Sequence, residues 1–212
     1  MVRARFEGPP DAVVENWLLI GGGLMFQGGA LAGLLLHGRA YLGGALAAFR
    51  PFIGTMPRSA AGRGVLDVVT ALPLISLAYF TVIKFLPLIG IQPEEQQYVS
   101  LFREGGPAVV LAITLLAVCV APVVEELVFR ALLYKGLQAK FGTAPAAVVS
   151  SALFALVHAN AAGMVPFFLL GLVLCRLIDR TGDVRACIAG HALFNLNTSI
   201  QLILTLVFTD GT

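Results

Sequence analysis

Apolar side chains run through this chain in long unbroken stretches, neither alternating as in a half-buried strand nor confined to one helical face. Trp17–Leu36 is charge-free and rich in Gly. Val65–Ile89 is a second apolar run, with Asp67 and Lys84 near its ends, where Lys can snorkel. A third begins at Pro107 and reaches Tyr134, and shorter runs follow at Thr143–His158, Met164–Ile178 and Arg185–Phe208. About 20 apolar residues suffice to cross a bilayer as a helix. The pattern therefore predicts an all-α, polytopic transmembrane helix bundle of about six spans. Between the first two spans, Gly38–Gly64 carries Pro51, Pro57 and four Arg, and reads as a basic connecting segment whose Ala40–Ile53 part lies in the membrane interface. Gly90–Gly106 reads as a polar loop. Gly29-x-x-x-Gly33 in the first span suits close helix packing.

Composition narrows the class. Of 212 residues, 58% are hydrophobic and 12% are charged, against about 25% charged in an ordinary soluble domain. A formal net charge of +2 leaves no basic stripe for nucleic acid. Three Cys in apolar stretches make neither a disulfide framework nor a CxxC metal knuckle. Asp11 and Glu15 stand where a secretory signal would be basic, so the first run is expected to remain as a membrane helix. The loops holding Arg39, Arg50, Arg58, Arg63, Lys135, Lys140, Arg176, Arg180 and Arg185 outweigh those holding Arg3, Arg5 and Arg103. The positive-inside bias then predicts an integral protein of the cell (inner) membrane, with both termini outside and the basic loops cytoplasmic.

Three charges do not fit a loop or a span end. Glu125, Glu126 and Arg130 interrupt the third apolar run. Left unpaired they would cost roughly 8–10 kcal/mol on insertion scales. Glu126 and Arg130, four apart, share a helix face and can pair, whereas Glu125 points about 100° away. Two further pairs recur at helical spacing, Phe154 with His158 and His191 with Asn195. If the turn between the third and fourth spans falls at Gly142, Glu125 and His158 lie at similar depth, roughly 24–26 Å along their helices from it. His191 lies about 9 Å past Arg185, so a carboxylate, two imidazoles and a carboxamide can converge in the cytoplasmic half of the bilayer.

Glu125-Glu126-x-x-x-Arg130, Phe154-x-x-x-His158 and His191-x-x-x-Asn195 resemble the EExxxR, FxxxH and HxxxN/D motifs of the CPBP (Abi) family, which includes type II CAAX prenyl endopeptidases and bacteriocin-immunity membrane proteases. The resemblance covers roughly Pro107–Phe208, with Ala131 where many members have Gly. It divides the chain into an N-terminal membrane region (1–106: two spans and the basic segment) and a motif-bearing core (107–212). It implies an intramembrane endopeptidase acting on hydrophobic or membrane-anchored peptides. Glu125 would be general base on a water shared with His158, His191 and Asn195 would stabilise the oxyanion, Glu126 and Arg130 would brace the helix, and Phe154 would pack against the site wall.

Two alternatives stay open at this stage. Glu125, His158 and His191 also make a His₂Glu set of the kind that binds catalytic zinc. The family has been called metalloprotease on this account, although Asn195 suits an oxyanion hole better than a zinc site. The other alternative is a non-proteolytic membrane scaffold or immunity protein. HExxH, GxSG and GxGD motifs are absent, which sets aside other intramembrane protease classes. His37 reads as a helix-end residue, and Asn160 either reaches the cavity or ends the fourth helix.

Overall fold

The computed structural model describes residues 10–41, 58–93 and 97–209, and every regular element among them is helical. The helices are α1 (Pro10–Tyr41), α2 (Arg58–Phe85, continued by a 3₁₀ turn over Leu86–Ile89), α3 (Gln97–Glu104), α4 (Pro107–Phe141), α5 (Thr143–Val157), α6 (Met164–Thr181) and α7 (Val184–Thr209). Three stretches, Gly62–Ile89, Pro107–Phe141 and Val184–Thr205, are long and apolar enough to cross a membrane, and Thr143–Val157 is a shorter apolar helix. Leu74, Leu77, Phe80, Leu111 and Ile200 stand exposed along these helices, the outward apolar surface that a lipid solvent permits.

Three expectations change. The Gly90–Gly106 stretch is not all loop, because Gln97–Glu104 is a helix. Leu101 and Phe102 are buried against Ile20, Val109 and Ile113, so tertiary contact holds a helix too short to announce itself by periodicity. Among the described residues a Cβ on Gly29 would meet no neighbouring atom within 4 Å, so the Gly29-x-x-x-Gly33 spacing marks no close packing at that position. The close approaches lie elsewhere. A Cβ on Gly64 would fall 2.2 Å from the Ala186 carbonyl oxygen, and one on Gly171 2.7 Å from the Ser151 Cβ, so α2 meets α7 and α5 meets α6 backbone to backbone. The second helix also begins earlier than its apolar run, at Arg58 rather than Val65. Most of the Ala40–Ile53 segment lies outside the described residues, and of His37 only the backbone is described.

The α4–α5 hairpin turns at Gly142, whose φ of +82° a side chain would resist. Asp183 starts α7, its carboxylate accepting from the Arg185 amide at 2.9 Å and pairing with the Arg185 guanidinium, which holds the carboxyl below its ordinary range. One core joins both halves of the chain. Val68 and Ile75 of α2 pack with Leu127, Phe154, Leu170, Leu174 and Cys187.

Within α4 the helix loosens twice, into π turns at Leu116–Val120 and Leu127–Tyr134. In the first, the Ala121 amide donates to the Leu116 carbonyl, five residues back. The Ala117 carbonyl thereby loses its α-helical donor, and Pro122, five residues on, has no N–H to replace it. The motif carboxylates sit between these two turns.

Candidate active site

Glu125 and Glu126 end the short α-helical stretch Ala121–Glu126 of α4. Glu126 is fully buried. Its Oε1 accepts from Arg130 Nη1 at 3.0 Å and lies 2.8 Å from His191 Nδ1. Arg130, also buried, sets its guanidinium 4.3 Å from the centre of the Phe154 ring, a cation–π contact that shields the ion pair from lipid. Phe154 in turn stands edge-on to Phe129, His158 and His191. It is therefore the hub of the site wall, in direct contact with both imidazoles.

Glu125 is oriented differently. Its Oε1 accepts from Gln27 Nε2 of α1 at 3.2 Å. Its Oε2 is buried and has no hydrogen-bond partner, lying 4.0 Å from His158 Nε2 and 3.9 Å from His191 Nε2. Each imidazole has its other nitrogen committed. His158 Nδ1 is 2.7 Å from the Phe154 carbonyl oxygen, and His191 Nδ1 faces the Glu126 carboxylate. Both partners can accept, which suits a proton on each Nδ1 and leaves the Nε2 atoms toward Glu125 Oε2. The three atoms face one another without a direct hydrogen bond between carboxylate and imidazole.

The backbone around His158 is built to present it. His158 caps the end of α5, and Ala159 follows at a φ of +46°, a strained value for a residue with a Cβ. Asn160 Oδ1 then accepts from the Gly163 amide at 2.5 Å, so Asn160 fixes the turn into α6 and is spent on the backbone. Phe167 of α6 stacks on the other side of the His158 ring at 4.3 Å.

Asn195 stands one helical turn beyond His191, and its Nδ2 donates to the Ala117 carbonyl at 2.7 Å. This is the oxygen that the π turn and Pro122 leave without a main-chain donor. An amide NH₂ has two hydrogens, so one N–H of Asn195 remains beyond this clamp.

Sequence reasoning missed Gln27. It is the one hydrogen-bonding side chain between Trp17 and Leu36. It is buried, and its Oε1 has no partner. A lone carboxamide in an apolar span was the available signal, but nothing in the sequence tied it to a residue 98 positions away.

The His₂Glu set does not close on a metal as it stands. Ligands about 2.0–2.1 Å from a tetrahedral zinc lie about 3.3–3.4 Å from one another. The Glu125 oxygen is farther than that from both Nε2 atoms. Among the described residues no group of three His, Cys, Asp or Glu is disposed to hold a metal ion. The zinc-dependent alternative therefore gains no support.

Three helices long and apolar enough to cross a membrane, with a half-buried carboxylate–imidazole cluster between them and a shorter apolar helix, are the features of an integral membrane protein. Residues 107–197 match the family model described as type II CAAX prenyl endopeptidase Rce1-like, consistent with the CPBP resemblance of the three motifs. The matched segment contains every motif residue from Glu125 to Asn195 and excludes Gln27. No curated protein and no solved structure matches the chain.

Proposed function

We propose that this protein is an intramembrane endopeptidase that hydrolyses peptide bonds of hydrophobic or membrane-anchored peptides through a water activated by Glu125. The observation that carries the reading is the facing of Glu125 Oε2 and two imidazole Nε2 atoms at 3.9–4.0 Å, too far apart for direct hydrogen bonds. A water molecule in the working enzyme would join them, donating to the carboxylate and to an imidazole.

Glu125 removes a proton from the water as its oxygen attacks the substrate carbonyl carbon. His158 holds the water in line. The developing oxyanion receives hydrogen bonds from the free N–H of Asn195 and from His191 in its protonated form. The proton taken by Glu125 passes to the leaving amine as the C–N bond breaks. Glu126, Arg130 and Phe154 keep His191 and the helix in register and do not touch substrate. No step passes through a metal. The site lies in the cytoplasmic half of the bilayer, with both termini outside.

The test is direct. Purified protein in detergent is given hydrophobic C-terminal peptides with and without a prenyl group, beside His158→Ala. Cleavage by the unaltered protein that His158→Ala lacks supports the reading. Intact peptides in both leave the scaffold alternative, and a strict need for the prenyl group identifies a CAAX-type substrate.

A further inference from the structure

Along α1 the buried side chains are Asn16, Ile20 and Gln27, spaced four and seven residues apart on one helical face. Gly23 lies on the same face, where an added Cβ would come 3.3 Å from Leu116 Cδ2 of α4. Ile20 packs with Leu101, Val109 and Ile113. This docking brings the Gln27 side-chain NH₂ to 3.2 Å from Glu125 Oε1. Among the described residues it is the one hydrogen-bond donor to that carboxylate.

The last torsion of a Glu side chain joins a tetrahedral carbon to a planar one and has a broad minimum. The side chain's own preferences therefore do not decide which way its two oxygens point. The Gln27 bond does. With Oε1 held toward α1, Oε2 is directed at His158 Nε2 and His191 Nε2, 4.0 and 3.9 Å away. A neutral amide gives this orientation without cancelling the charge, whereas the Arg130 cation pairs with that of Glu126. Gln27 is also costly to keep. Its Oε1 is buried with no partner, and an apolar side chain there would spare the bundle an unmet acceptor. A buried polar atom left unmet calls for a reason, and the bond to Glu125 supplies one.

We propose that Gln27 is a positioning residue for the reaction: its NH₂ holds Oε1 of Glu125, so that Oε2 is the oxygen that takes the proton from water. The proposal rests on the endopeptidase reading, and it makes α1, outside the Rce1-like segment 107–197, a part of the active site. Gln27 acts through Glu125 and does not touch substrate.

The full chain is assayed on a peptide that the unaltered protein cleaves, with kcat taken per folded molecule. Gln27→Met keeps the length of the side chain and removes the donor. It should lower kcat about 10–100-fold, the scale of a misplaced catalytic group, and leave KM and the thermal midpoint close to those of the unaltered protein. Gln27→His, whose Nε2–H reaches about as far, should recover most of that loss. Gly23→Leu forces α1 away from Leu116 and should lower kcat in the same way. Joining it to Gln27→Met should add little, because both remove one contact. Gly22→Leu, whose added Cβ meets no described atom within 4 Å, should leave kcat unchanged. The role is overturned if Gln27→Met turns over like the unaltered protein, if its defect lies in KM alone, or if Gln27→His is no better. Should Gln27→Met not fold, Gln27→Asn, a methylene short of Glu125, is read by the same criteria. Cleavage of no peptide by the unaltered protein overturns the endopeptidase reading and the role with it. Cleavage that is indifferent to Gln27 overturns the role alone.

Discussion

Glu125 and Glu126 are adjacent in sequence and carry the same side chain, yet one is paired with a cation and the other turns an unbonded oxygen toward two imidazoles. Glu126 is fully buried, bonded to Arg130 and set against His191, with Phe154 covering the guanidinium. Glu125 keeps one oxygen on Gln27 and aims the other at two imidazoles too distant for direct hydrogen bonds. The difference follows from the roughly 100° that separates successive residues on a helix. One residue looks into the core between α4, α5 and α7, and the next looks toward α1. Each carboxylate keeps one oxygen without a hydrogen-bond partner, and what separates them is that Glu126 is paired with the Arg130 cation and Glu125 is held only by a neutral amide. In the proposed mechanism the pair separates bracing from chemistry at one point in the chain.

The sharpest way to break the comparison is to exchange the two roles by mutation. Glu125→Gln should lower kcat by about 10²–10⁴, the range for losing a general base, while the thermal transition in detergent shifts little. A large fall in thermal stability would mean that Glu125 is structural too. Arg130→Ala should do the reverse first. It leaves Glu126 buried without its cation and should destabilise the bundle by about 3–5 kcal/mol, read as a lower midpoint or loss of folded protein. Recovery of folding in Arg130→Ala/Glu126→Gln would show that the stranded charge was the cause.

Asn195→Leu tests both regions together. It removes a proposed oxyanion donor, worth about 10²–10³ in kcat, and orphans the Ala117 carbonyl at a cost of about 1–3 kcal/mol. An activity loss no larger than the fraction unfolded would assign Asn195 to the π turn alone. Gly64→Ala should destabilise the fold by about 1–3 kcal/mol through overpacking against Ala186, read as a lower thermal midpoint, with kcat per folded molecule unchanged. Asn160→Ala should have the smallest effect, about 1 kcal/mol from the lost cap. A change in substrate turnover beyond that would tie the turn after His158 to catalysis.

Much of this was legible from spacing. Apolar runs marked the helices because a bilayer leaves little choice of structure for such segments. The i, i+4 relation of Glu126 to Arg130 predicted their pairing, and residue counts from Gly142 put Glu125 and His158 at one depth. Three features were not legible. The π turns depend on hydrogen-bond register around Pro122, which hydrophobicity does not report. Helix α3 is held by contacts with α1 and α4 rather than by its own pattern. Asn160 has the same local sequence whether it lines a cavity or caps a turn, and only the position of Gly163 decides.

By itself the sequence determined the solvent, the helices and the short list of polar residues that such a solvent makes costly to keep. It also determined which of them share a face, because helical periodicity is a local property. Tertiary structure decided which face meets which neighbour. Packing between α1 and α4 put Gln27 on Glu125. Packing of α5 and α7 against α4 turned two imidazoles toward one oxygen and gave the other carboxylate its partners. Distances between helices depend on every side chain at the interface at once, and no spacing within one helix contains them.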